Sequence, residues 1–199
     1  YSHAEHRQDR ISVHHNAWYR IQGRLPEFTC ESSNYDGEQG TIAQCQADTL
    51  QAEISNNLYY DPGRPIYYNR DVDQIEANGP YKLHLNIVNN RFVANAAHFS
   101  TPMMMGELLE PAQNRLYVSG NTVSLHPGYA DYQLFGCDCE GFSPSGNQAG
   151  GAATKLSARH DFPAITYQSG ESLIDTLPRI VGTLPHDRQD RRYENAMLN

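Results

Sequence analysis

Nine histidines stand among 199 residues, and imidazole is both a common metal ligand and the side chain that titrates nearest neutral pH. His3 and His6 lie three apart, with Glu5 as the accompanying acid, and His14 and His15 are adjacent. Two ligands converge best on a helix at i, i+4, as in His-Glu-x-x-His. Neither pair has that spacing, so a hydrogen-bonded interface histidine is the better reading of His14, and no metal is expected. Asp71, Asp73 and Glu76 cluster, as do Asp36 and Glu38. Calcium takes such hard oxygens, but the spacing is not that of an EF-hand, and solvated acidic loops are expected instead. The run Gly170-Glu171-Ser172-Leu173-Ile174 starts like a nucleophile elbow and lacks the closing glycine. No catalytic residue and no cofactor are therefore assigned.

Two further groups could do chemistry. Cys30, Cys45, Cys137 and Cys139 make an even count in loop-rich sequence, which suggests disulfides and an oxidising compartment. Cys30–Cys45 is the preferred pair, because it closes a compact loop worth on the order of 3 kcal/mol. The crossed pairing, zinc and free thiols stay open. Tyr59, Tyr60, Tyr67 and Tyr68 flank Asp61-Pro62-Gly63. Each ring offers rigid area and a polar tip, so the four form a candidate binding patch. Packing of a loop on a sheet would account for them equally. Met103-Met104-Met105 reads as an adaptable contact segment.

Formal net charge is −8 and hydrophobic content 39%, and the chain has no basic stretch of the kind that marks a nucleic-acid binder. No apolar run reaches the ~18 residues of a membrane helix, and no signal peptide opens the chain. A start at Tyr1 without methionine fits processing or truncation.

The elements that would position these groups follow from periodicity. Ala4, Ile11, Trp18 and Leu25 recur every seven residues, with His14 and Ile21 on the same stripe. That pattern predicts an amphipathic helix over 3–25, ended by Pro26. Thr41 and Gln44 match a capping box ahead of a second helix over 42–54. From Tyr81 to Ala96 apolar and polar residues alternate on either side of Asn89-Asn90, which predicts a β-hairpin with Ile87 facing Phe92. A second hairpin is expected about Gly120-Asn121, and Tyr132 and Leu134 offer a fifth strand. Residues 143–154 read as a flexible loop, 163–167 as one more strand, 171–177 as a short turn or helix, and the chain from His186 as a polar tail. No repeat is evident. The expected fold is thus a single α+β domain over 1–199. It comprises an N-terminal helix (1–26), a disulfide loop with a second helix (27–57), an antiparallel meander of four to five strands (58–142), and a loop and tail (143–199).

This order resembles the soluble part of type IV pilin-like proteins, the minor pilins and type II secretion pseudopilins. The features that carry the likeness are the helix to Pro26, the segment Thr41 to Ile54, and Gly79-Pro80-Tyr81 opening an alternating strand. The resemblance implies a non-enzymatic extracytoplasmic subunit, in the periplasm or at the cell surface, that assembles with other pilin-like subunits. Its interface would be Ile11, His14, Trp18 and Ile21. Membrane contact would come only through an apolar segment absent from this sequence. Two other readings stand beside it: a ligand-binding or adhesive β-rich surface or virion module, and a histidine-dependent metalloenzyme.

Overall fold

A computed structural model describes residues 10–28, 49–68, 82–94, 103–104, 114–136, 154–182 and 184–199. They form a right-angled coil of short parallel strands. The first rung holds β1 (Ile11–His14), β2 (Ala17–Tyr19) and β3 (Arg24–Phe28). The second holds β4 (Thr49–Ser55), β5 (Leu58–Tyr60) and β6 (Arg64–Tyr68). The third holds β7 (Lys82–Val88), β8 (Arg91–Val93) and β9 (Met103–Met104). The fourth holds β10 (Asn114–Ser119), β11 (Thr122–Val123) and β12 (Phe135–Gly136), and β13 (Thr154–Lys155) opens a fifth. Like strands stack into three parallel sheets: A (β1-β4-β7-β10-β13), B (β2-β5-β8-β11) and C (β3-β6-β9-β12). This is a β-solenoid, in which each rung buries its inner face only by stacking on its neighbours.

The corner between sheets A and B explains why the rungs stay in register. At each such corner one residue has positive φ: His15 (56°), Asn56 (52°), Asn89 (53°) and Gly120 (73°). An asparagine follows every time, at Asn16, Asn57, Asn90 and Asn121. Their carboxamides form a continuous ladder. Asn16 Nδ2 donates to Asn57 Oδ1 at 3.0 Å, Asn57 to Asn90 at 3.0 Å, and Asn90 to Asn121 at 2.9 Å. Each interior Nδ2 also donates to a strand carbonyl of the preceding rung: Asn57 to Val13, Asn90 to Ile54, Asn121 to Ile87. Buried amides thus lose little of their hydrogen bonding.

Behind the ladder lies the core. In sheet A, Val13, Ile54, Ile87 and Val118 align, as do Ile11, Ala52, Leu85 and Leu116. In sheet B, Trp18, Tyr59 and Phe92 stack face to face, with centroids 6.5 and 4.8 Å apart. Stacked aromatic pairs add to simple area burial by about 0.5–1.5 kcal/mol each. Leu25, Phe28, Ile66 and Phe135 fill the third side.

Two outer faces are covered by the C-terminal part. Helix α1 (Gly170–Ile180) starts at Ser169, whose side chain accepts from Ser172 N, and Leu173 and Leu177 share its inner face. With Met197 of helix α2 (Arg188–Leu198) they bury Leu58 on the outer side of sheet B. Ahead of α1, residues 156–168 run across the outer face of sheet A without joining it as a strand. No helix among the described residues is long and apolar enough to cross a membrane.

The expected α+β fold is corrected on every major element. Residues 11–28 are three strands, where a helix over 3–25 was predicted, and 49–55 is a strand where a helix over 42–54 was predicted. The sheets are parallel, so there is no meander. Asn89-Asn90 and Gly120-Asn121 do separate strands, but those strands lie in different sheets. A doubling-back type I′ turn needs positive φ at both central residues. Here only Asn89 has it, and Asn90 spends its side chain on the ladder. Ile87 therefore pairs with Ile54 and Val118, not with Phe92. Residues 163–167 are extended but unpaired, 171–177 lies within α1, and the tail from His186 contains α2.

Candidate functional site: an arginine face on sheet C

Sheet C and the corner that leads into it hold the described outer face not overlaid by α1, α2 or the 156–168 segment. Arg20 (φ 51°) and Asp61 (φ 50°) occupy equivalent corner positions of successive rungs. Arg20 N donates to Tyr60 O, and Asp61 N to Val93 O. The next corner residues pack so closely that a Cβ on Gly63 would lie 2.4 Å from Gln22 O. Glycine is required there because backbone meets backbone. The corner delivers Arg24 and Arg64 as the first residues of β3 and β6, in direct register with each other. Their guanidinium carbons lie 5.2 and 5.7 Å from the centre of the Tyr67 ring. Glu27, opposite Tyr67 in register, takes Arg24 Nη1 at 3.0 Å.

Three local features break rules that fold stability alone would enforce. Like charges directly opposite on neighbouring strands are destabilising, yet Arg24 opposes Arg64. A β-branched residue rarely tolerates positive φ, yet buried Ile66 sits at 44° between Arg64 and Tyr67. A buried carboxylate needs its lone pairs filled, yet Asp61 Oδ1 has no hydrogen-bond partner among the described residues. Its Oδ2 lies 3.4 Å from Arg20 Nε, and Arg20 itself is largely exposed. Strain and like-charge crowding collected at one place are typical of a site shaped for something other than stability.

A second concavity of about 490 Å³ lies between β2 and the two helices, bordered by His15, Trp18, Tyr19, Asp190, Tyr193 and Glu194. Its carboxylates are partly neutralised within the fold. Glu194 accepts from His186 Nδ1 at 3.0 Å and meets Arg179 at 3.6 Å. The hydrogen bond to Glu194 holds the His186 imidazole above its usual pKa.

The residues singled out from sequence are scattered by this fold. Ile11 packs on the core from β1, His14 lies 2.8 Å from His15 through their Nδ1 atoms, Trp18 stacks on Tyr59, and Ile21 is exposed at the corner. They form no common stripe. Tyr59 is fully buried, Tyr60 lies under the helices beside Tyr19, and Tyr67 belongs to the arginine face. The Tyr68 side chain, Cys30, Cys45, Cys137, Cys139, Met105 and both acidic clusters lie outside the described residues. Among the described residues no three His, Cys, Asp or Glu side chains converge as a metal site. Arg24 and Arg64 were missed, although they hold the same place in successive rungs, and so was Arg20 at the corner before them. No family model, no curated protein and no solved structure matches this chain.

Proposed function

We propose that this protein is a solenoid module that binds an acidic polysaccharide along sheet C. The observation that carries the reading is the in-register pair Arg24–Arg64 over the Tyr67 ring. Guanidinium forks match carboxylates bidentately, and the buried Tyr67 ring beneath both guanidinium groups holds them side by side. Arg24 and Arg64 stand on adjacent rungs, about 4.8 Å apart, a spacing that suits neighbouring acids along a polymer. This keeps the ligand-binding reading of a β-rich module and moves its contacts from the tyrosine cluster to the arginine row. The filament reading rested on a helical stripe, and residues 11–28 are strands.

The test is affinity electrophoresis in gels containing polygalacturonate or alginate, with dextran as the neutral polymer. Retardation in the acidic gels alone is expected, weakening with added salt. Arg24→Ala with Arg64→Ala should reduce affinity at least about tenfold, since hydrogen bonds to charged groups contribute roughly 1.5–3 kcal/mol each. Equal retardation by dextran, or a double variant that binds normally, would refute the reading.

A further inference from the structure

Residues 156–168 are fixed to sheet A near both ends. At the first end, Leu156 N donates to Leu116 O, extending the β10 ladder. His160 N donates to Asn86 Oδ1, Asn86 Nδ2 to His160 O, and His160 Nε2 to Arg115 O. That ring stacks on His84, 4.9 Å centre to centre and 7° from parallel. The fully buried carboxylate of Glu53 ties the two ends together: Arg159 Nε, next to His160, meets one oxygen at 3.1 Å, and Tyr167 OH, next to Gln168, donates to the other at 2.8 Å. At the far end, Asn56 Nδ2 donates to Thr166 O while Asn56 Oδ1 accepts from Gln168 N. The same Asn56 Nδ2 touches His15 Nε2 at 3.1 Å, and His15 faces His14 through the two Nδ1 atoms.

We propose that 156–168 is an acid-releasable strap, opened by protonation of the facing His84–His160 pair at its first end and of His15 where it touches Asn56 beneath the far end. Neutral imidazoles can stack, or share one proton between two nitrogens. Two imidazolium ions in the same places repel each other. The groups around each pair sharpen this. His84 faces His160 from the strap and Arg115 from β10, with Lys82 two residues along its own strand. His15 faces His14 from β1 and Asn56 from β4, and it borders the cleft with Asp190 and Glu194 of α2. Burial first, then His160 and Arg115, holds His84 below its ordinary pKa; burial first, then His14, does so for His15. A histidine depressed in the closed form stabilises closure above the free value near 6.5, and that stability is lost as pH falls below it. The Glu53–Arg159 ion pair contains no imidazole, so acid acts through the histidines.

Amide hydrogen exchange on the full chain at pH 7.5 and 5.5, corrected for intrinsic rates, tests the proposal. Protection across 156–168 should fall by about tenfold per pH unit for each proton taken up, while 82–93 keeps its protection. In His84→Gln with His160→Gln, and separately in His15→Gln, the acid response of the nearer strap end should disappear. Unchanged strap protection at pH 5.5 would overturn the proposal. So would parallel loss in 82–93, or a full acid response in the variants. Should the double variant fold poorly, His15→Gln and the wild-type comparison between strap and core still decide.

Discussion

At the scale of single residues, the buried polar groups separate into those that hold the fold and those that do not. Asn90 bonds two neighbouring carboxamides, the main-chain N of Asn57 and the carbonyl of Ile54. Asn90→Ala leaves the Asn57 amide and the Ile54 carbonyl buried without partners, at about 1–3 kcal/mol each. Urea unfolding should show a loss on the order of 3 kcal/mol. Tyr59 is the opposite case. Its ring is in the aromatic stack, but its hydroxyl is buried with no partner among the described residues. Tyr59→Phe removes a desolvated hydroxyl and keeps the stack, so the midpoint should stay or rise, by up to about 1–2 kcal/mol. Burial also pushes its phenol well above the tyrosine range. In a spectroscopic pH titration it should ionise only when the protein unfolds.

At the scale of elements, strap and helices carry opposite pH dependence. His186 is raised, chiefly by its hydrogen bond to Glu194. Its contribution to the α1–α2 contact is complete below the free value and fades as pH rises through the raised one. Imidazole NMR resonances should therefore titrate late for His186 and early for His84. The strap's ion pair with Glu53 is more sensitive to mutation than to pH. Arg159→Ala leaves Glu53 buried with its cation gone, which costs about 3–5 kcal/mol in comparable buried pairs. Calorimetry should show that loss, while Arg159→Lys recovers part of it.

The elements also mark where sequence reasoning worked. Alternation over β7 identified Leu83, Leu85 and Ile87 as its core face, because period two depends only on the strand's own pleat, but the face read as wet lies under 156–168, with Asn86 fully buried. It could not say which strand lies alongside, since parallel and antiparallel neighbours leave the same alternation. The seven-residue recurrence of Ile11, Trp18 and Leu25 mimicked a helix because three short strands and two corners happen to space core residues that way. A visible signal was passed over. Val13-His14-His15-Asn16, Ile54-Ser55-Asn56-Asn57, Ile87-Val88-Asn89-Asn90 and Val118-Ser119-Gly120-Asn121 are one corner written four times, and such self-similarity marks stacked repeats. The arginine face was illegible without that alignment. Arg24 and Arg64 are 40 residues apart in the chain, and only the stacking of rungs brings them together.

At the scale of the whole molecule, stability comes from contacts between neighbouring rungs. Disruption should therefore spread from the place where it is made. Gly63→Val forces the Gln22 and Gly63 backbones apart. Exchange protection should drop most in β3 and β6, which flank the arginine face, and least in β10. Binding to acidic polymer should fall with it, although no charge has been touched.

The carboxamide ladder has a direction. Every link hands a hydrogen from the earlier rung to the later, and the last, Asn121, meets Asp131 Oδ1 with its main-chain N at 2.8 Å and its Nδ2 at 3.4 Å. A relay of this kind requires give-and-take groups along its length and only an accepting oxygen at its terminus. Swapping Asn90 for aspartate would set two receivers against each other and break the column. Asparagine in place of Asp131 would still present an oxygen and leave it standing, so two isosteric exchanges should have opposite fates.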